Sequence, residues 1–245
     1  MRQIGFQTPW IYLEEPPELR EIYFKYGRIE TVKRGTLLQN GGENTKRYYV
    51  VKGLATHGLA VATGKNWTPL LAIPGRAISD IDGFTQDLLN MPAYVIRDSA
   101  LLSLDDDKWE KYVLNDHERF KLFAHYMILK MESITEAMIL NYSLTAEERL
   151  KAFLKSLLYN YNALSEGWNK IPLTLSNKEY AAFTGSTSIS VSRYFTAWRE
   201  AGLIKKSRSR SIHIHSDIFN DLYDWVDEEY GSNYRYEIRS RFLRR

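Results

Sequence analysis

The residues whose types and spacing best suit a definite chemistry lie between Leu173 and His215, and that chemistry is recognition of a polyanion. From Thr187 to His215 the cations are Arg193, Arg199, Lys205, Lys206, Arg208 and Arg210, against one acid, Glu200. Thr187, Ser188, Ser190 and Ser192 are interspersed, leaving room for close approach and offering hydroxyls to phosphates or bases. A second constellation is His213-x-His215-x-Asp217, which on a strand puts three possible metal ligands on one face, because side chains alternate. Asp105-Asp106-Asp107 resembles a metal cluster by composition, but its place after Leu101-Leu102-Ser103-Leu104 suits a helix start, where carboxylates cap and complement the dipole. His57 and the pair His117 and His125 are conceivable haem ligands, although a lone histidine is more often structural. No Ser/His/Asp ordering, phosphate-loop glycine pattern or carboxylate pair points to catalysis, and neither a metal nor a cofactor is expected.

The elements around the basic stretch are those that present side chains to a DNA groove. Ser176 followed by Glu179 is a capping box that starts a helix, and Thr184-Gly185 ends it. A second helix follows through Ile189, Val191, Arg193, Phe195 and Trp198 and stops at Ala201-Gly202. Two short helices joined by a glycine turn read as a helix-turn-helix, whose second helix enters the major groove. Lys205 to Arg210 then reads as the tip of a hairpin between Leu203-Ile204 and Ile212-His213-Ile214, a basic wing. Arg193, Ser188 and Ser190 are expected at bases, with Ile189 limited to apolar contact such as a thymine methyl. Lys178, Thr187, Arg208, Ser209 and Arg210 are expected at phosphates, and Ser192 lies on the same face. The alternative is a metal-dependent, cupin-like β-barrel enzyme with an accessory helical domain, which would use His213-x-His215 on a barrel strand. Its weakness is placement, since that triplet follows the wing and lies outside the glycine-rich region.

Upstream, Thr145-Ala146-Glu147-Glu148 is another capping box, opening a helix that buries Leu150, Phe153, Leu154, Leu157 and Leu158. From about Asp116 to Asn141 there is no Gly or Pro, and Phe120, Ala124, Met127, Met131, Ile134 and Met138 recur at spacings of 4 and 3. That heptad seam pairs a helix with its twin, so these six are the expected homodimer interface. The first third alternates short β-rich runs, such as Arg47 to Val51 and Ala93 to Ile96, with turns at Gly35, Gly41-Gly42, Gly53 and Gly64, as in a barrel or sandwich. A short helix is expected from Pro17 to Tyr26.

Composition sets the outer bounds. The 245 residues are 44% apolar and 26% charged, enough for one or two domains with a real core. The net charge of only +3, from 33 Lys and Arg against 30 Asp and Glu, places the weight of the nucleic-acid argument on where the charges sit. Absence of cysteine excludes disulfides, thiolate zinc sites, cysteine-ligated iron–sulfur clusters and cysteine nucleophiles. No signal-peptide core and no membrane-spanning apolar run is present, so a soluble, cytoplasmic protein without a membrane partner is expected.

Over most of residues 20–215 the chain resembles the family of the cyclic-AMP receptor protein and the fumarate–nitrate regulator, the CRP/FNR transcription factors. The resemblance rests on the Lys33-Arg34-Gly35-Thr36 turn, Tyr48-Tyr49-Val50-Val51-Lys52-Gly53, Pro74-Gly75 before Ile78, the long helix, and Thr184-Gly185 through Val191-Ser192-Arg193 to Gly202-Leu203-Ile204. It implies an α+β architecture: a β-roll (double-stranded β-helix) sensor domain over 1–115, a dimerisation helix over 116–142, and a winged helix-turn-helix with a helical tail over 143–245. It further implies a palindromic operator in double-stranded DNA, RNA polymerase as a partner, and a small-molecule effector. Where cyclic-nucleotide-binding members carry Gly-Glu and Arg-Ser, this chain has Ser79-Asp80 and Met91-Pro92, which argues against cyclic AMP. Arg76, Asp80, Tyr94 and Arg97 remain as candidates for an effector pocket. The base-reading Arg and Glu of the founding members fall at Ser188 and Ile189, while the family's arginine is retained as Arg193, so the half-site should differ from theirs.

Overall fold

In the computed structural model, residues 8–39, 46–60, 66–79, 92–207 and 211–222 are described. They divide into two compact units, one of residues 12–134 and one that joins residues 8–11 to 135–222. The division falls inside the long helix expected between sensor and DNA-binding domains, so that helix contributes to both units.

In the first unit, helix α1 (Pro17–Tyr26) leads into strands β1 (Arg28–Val32), β2 (Leu37–Gln39), β3 (Lys46–Lys52), β4 (Ala55–Ala60), β5 (Asn66–Ala72), β6 (Ala77–Ile78), β7 (Ala93–Val95) and β8 (Ser99–Asp105). They form two antiparallel four-stranded sheets, β1-β8-β3-β6 and β2-β7-β4-β5. Alternation along the strands explains the core. Tyr48, Val50 and Leu101 enter one cluster together with Leu70, Ala93 and Val95 of the second sheet. Their neighbours Tyr49, Leu102 and Leu104 enter another, with Leu19 and Tyr23 of α1 and with Phe123 and Tyr126. Both faces of the first sheet are therefore covered, which is why Leu101 to Leu104 reads as a nearly continuous apolar run. Gly53, at φ +98°, lets the β3–β4 turn close on Ser99: an added Cβ would lie 2.6 Å from its Cα.

Asp106–Trp109 forms a short helix, α2, continued as a π-turn over Glu110–Leu114. The aspartates before and within it do not cap it. Asp105 makes no capping hydrogen bond and instead approaches Arg28 (4.0 Å) and Lys108 (3.9 Å), while Asp106 pairs with the buried Arg47.

Helix α3 (His117–Ser143) buries a different stripe from the one its hydropathy suggests. Phe123, Tyr126, Lys130, Ser133, Ala137 and Leu140 are all at most 3% exposed, again at spacings of 3 and 4. Of the expected dimer seam, Ile134 is buried in the β-roll core and Met127 packs against it, Ala124 is half-buried, and Phe120, Met131 and Met138 are exposed. Lys130 lies at the centre of the buried stripe. Its Nζ is 3.3 Å from Glu15 Oε1, donates to Ala77 O, and lies 5.0 and 4.7 Å from the ring centres of Tyr12 and Tyr126.

In the second unit, α4 (Ala146–Asn160) starts at the expected capping box, with Thr145 Oγ1 accepting from Glu148 N and Glu148 Oε2 from Thr145 N. The N-terminal residues join this unit, a placement sequence reading did not foresee. Ser156 Oγ donates to Pro9 O (2.7 Å), Asn160 Nδ2 donates to Thr8 Oγ1 (2.8 Å), and the fully buried Trp10 meets Phe153 edge-on at 5.9 Å. Strand β9 (Trp168–Lys170), helices α5 (Asn177–Phe183) and α6 (Ser188–Glu200), and strands β10 (Ile204–Lys206) and β11 (Ile212–His215) complete it, with sheet order β10-β11-β9. Among the described residues no helix is long and apolar enough to cross a membrane.

Candidate nucleic-acid interface

Local chemistry sets both helices of the motif. Ser176 Oγ accepts from Glu179 N, and Glu179 Oε2 accepts from Ser176 N (2.7 Å), so the capping box opens α5 as its spacing predicts. Gly185, at φ +57°, follows the C-cap Thr184 and turns the chain. Thr187 caps α6 by accepting from Ser190 N (3.1 Å).

Helix α6 is amphipathic. Val191, Phe195 and Trp198 are buried, with Phe195 lying 5.4 Å from the ring of Tyr180 in α5. Trp198 Nε1 donates to Glu147 Oε1 (2.7 Å) in the first turn of α4. The opposite face is open, and Ile189 on it is 80% exposed. That face and the first turn of α5 line an open groove of about 890 Å³, walled by Ser176, Asn177, Lys178, Ser188, Ile189, Ser192, Arg193, Thr196, Ala197 and Glu200. A surface with two cations, one acid, several hydroxyls and one projecting aliphatic side chain can bind phosphate and also distinguish bases.

The structure thus brings Lys178, Ser188, Ile189, Ser192 and Arg193 into one groove. Thr187 and Ser190 lie beside it with their hydroxyls joined, Thr187 Oγ1 donating to Ser190 Oγ (3.0 Å). Sequence reading missed Ser176, Asn177, Thr196, Ala197 and Glu200, although Ile189, Ser192, Arg193, Thr196 and Glu200 follow the spacing of one helical face. The wing is present as β10 paired with β11, and Ser207 N donating to Ser211 O (2.9 Å) closes its base. Arg208, Ser209 and Arg210 lie outside the described residues, as does the tail beyond Leu222.

The triplet His213, His215 and Asp217 does not share a strand face. β11 ends at His215, and Asp217 falls in a 3-10 turn over Ser216–Phe219. His215 packs edge-on to Trp168 at 5.1 Å, and its Nδ1 is 3.2 Å from Asp217 Oδ2. Among the described residues no cluster of three metal-capable side chains forms. His57 is buried beside Tyr12, with ring centres 5.8 Å apart.

The candidates for an effector pocket have separate surroundings. Arg76 is buried and donates to Tyr12 O (3.0 Å) and Pro74 O (2.9 Å), a bracing role at the turn before β6. Tyr94 lies on β7 in the other sheet, against Gly58, where burial pushes its phenol above the ordinary pKa. Arg97 donates to the neighbouring Ile96 O (2.8 Å), and Asp80 lies outside the described residues.

Comparison with known proteins is consistent with this geometry. Residues 148–216 match the Crp-like helix-turn-helix domain family. The transcriptional activator protein Anr of Pseudomonas protegens is 22% identical over 203 residues, covering 82% of this chain and 81% of Anr. The structure of FixK2 from Bradyrhizobium japonicum superposes with a TM-score of 0.68 at 18% identity, over 81% of this chain and 98% of FixK2. TTHA1359 of Thermus thermophilus, a CRP/FNR-family transcriptional regulator, superposes with a TM-score of 0.59 at 20% identity, over 80% of this chain and all of that one (100%).

Proposed function

We propose that the chain is a transcriptional regulator of the CRP/FNR type, acting as a homodimer on a palindromic operator read by α6; its residues 148–216 match the Crp-like helix-turn-helix domain family. The observation that carries this reading is the groove shared by α5 and α6, which sets Arg193, Ile189 and Ser192 beside Lys178. Arg193 reads a guanine, Ile189 packs on a thymine methyl, and Lys178 with the wing cations holds phosphates. The exposed Phe120, Ile128, Met131 and Met138 of α3 form the seam with the second copy. Two-fold pairing then presents the recognition helices to successive major grooves, about 34 Å apart.

The controlling signal is a small molecule other than a cyclic nucleotide, acting at the β-roll. Ser79 at the position of the family's glycine, and Met91-Pro92 at its Arg-Ser, support this. A shift between two spacings of the recognition helices is the switching step, and RNA polymerase is the downstream partner.

Selection from random duplex DNA with the purified protein and no added ligand tests the reading. An enriched palindrome is the expected result and supplies the half-site. Non-specific binding at low salt without enrichment would mean that binding competence requires an effector. No binding at any salt would overturn the proposal.

A further inference from the structure

One side chain joins the end of the long helix to the turn that aims α6. Arg149, in the first turn of α4, donates through Nε to Thr184 O (2.6 Å) and through Nη2 to Gly185 O (3.3 Å). Its Nη1 donates to Asn141 O (3.2 Å) and Leu144 O (2.6 Å) at the C-terminal end of α3. All four acceptors are carbonyls at helix ends, which lack intrahelical partners and carry the negative end of the dipole. A planar guanidinium can serve two such ends at once, because its donors point in fixed, divergent directions. Burial draws its pKa below the ordinary arginine value, against a smaller opposing effect of Tyr194. The adjacent Asn141 amide makes no hydrogen bond, so the link rests on the arginine and not on that side chain.

We propose that Arg149 is a positioning residue: it sets the pose of α6 from the end of α3, and so makes the presentation of the DNA-facing groove depend on the dimer helix. The inference rests on the DNA-binding reading above. An arginine that only stabilised the domain would, when replaced, weaken binding to all duplexes alike. One that positions α6 should weaken discrimination first, because backbone contacts tolerate a small shift that a bidentate base contact does not.

The test compares the full-length parent with Arg149→Lys, which keeps the charge without the fork, and with Arg149→Met. Each is titrated against the selected palindrome, a scrambled duplex of equal length, and the palindrome with its half-sites one base pair further apart. Amide exchange is followed at 141–144 and 184–190. For Arg149→Lys, exchange should quicken at both segments together, and affinity for the scrambled duplex should stay within about twofold. The ratio of selected to scrambled affinity should fall about tenfold or more, and the penalty for the wider spacing should shrink. Parallel loss on all three duplexes, tracking thermal stability, would overturn the proposal and leave a simple cap. So would faster exchange at one segment only, a result that stands even if the parent binds no DNA and the DNA-binding reading itself fails. If Arg149→Met does not fold, Arg149→Lys decides.

Discussion

At the scale of the residue, Arg193 and Ile189 are the proposed readers of sequence, and each has a distinct signature. Arg193→Ala should relax preference at one position of the half-site and cost about 1–3 kcal/mol there, checked by repeating the selection with the variant. Uracil in place of thymine removes only a methyl, so a contact with Ile189 predicts a loss of about 0.8 kcal/mol for the parent. The same exchange should do nothing to Ile189→Ala, and equal sensitivity of both proteins would rule the contact out. Arg210→Ala should lower affinity for all sequences and reduce the salt slope by about 1. Residue type and helical spacing alone suggested these roles, and the structure places Arg193 and Ile189 in one groove. That Thr187 and Ser190 spend their hydroxyls on each other was not, because a capping geometry becomes visible only once the turn has closed.

At the scale of the element, the two capping-box helix starts were legible, the aspartate cap expected at Asp105 did not form, and the long helix was only partly legible. Both capping boxes formed, since each depends on atoms three residues apart. Hydrogen bonds from Thr145 hold the Glu148 carboxyl below its ordinary pKa of 4.5. A carboxylate depressed in the folded state stabilises fully above its unfolded pKa and loses that contribution as pH falls through the folded value. The start of α4 should therefore weaken below about pH 4.5, while Thr145→Ala should cost about 1 kcal/mol at neutral pH and flatten this acid limb. Thermal melts of both proteins from pH 7 to pH 3 would show it. On α3, Lys130 and Ser133 occupy the buried stripe, so hydropathy alone favours the parallel row containing Met131 and Met138. Lys130→Ala removes the cation beside the buried Glu15 carboxylate and should cost about 3–5 kcal/mol by denaturant unfolding. Lys130→Met with Glu15→Leu should recover most of that loss, and no recovery would mean that geometry rather than charge holds the pair.

At the scale of the whole molecule, the proposed reading of a palindrome calls for two copies. Glutamate at both Ile128 and Met131 puts charge into the exposed row of α3 while leaving the buried row intact. The double variant should sediment as a monomer and lose roughly 100-fold or more in affinity for the full palindrome, because the second half-site no longer benefits from linkage. Its affinity for a single half-site should be nearly unchanged. A double variant that remains dimeric would assign the interface to another surface.

The sequence by itself determined the winged helix-turn-helix, its two capped helices, the cations and hydroxyls around Arg193, and the strand-rich first third with its glycine turns. Those features follow from short-range rules of capping, turn chemistry and side-chain period, which operate within a few residues. Tertiary structure alone decided which row of α3 faces inward, that Trp10 packs on Phe153, and that Arg149 spans two helix ends. Each of these depends on groups far apart in the chain. A buried Lys130 is tolerable because Glu15, 115 positions away, meets it together with Ala77 O and the rings of Tyr12 and Tyr126, and no local pattern records the pairing with Glu15.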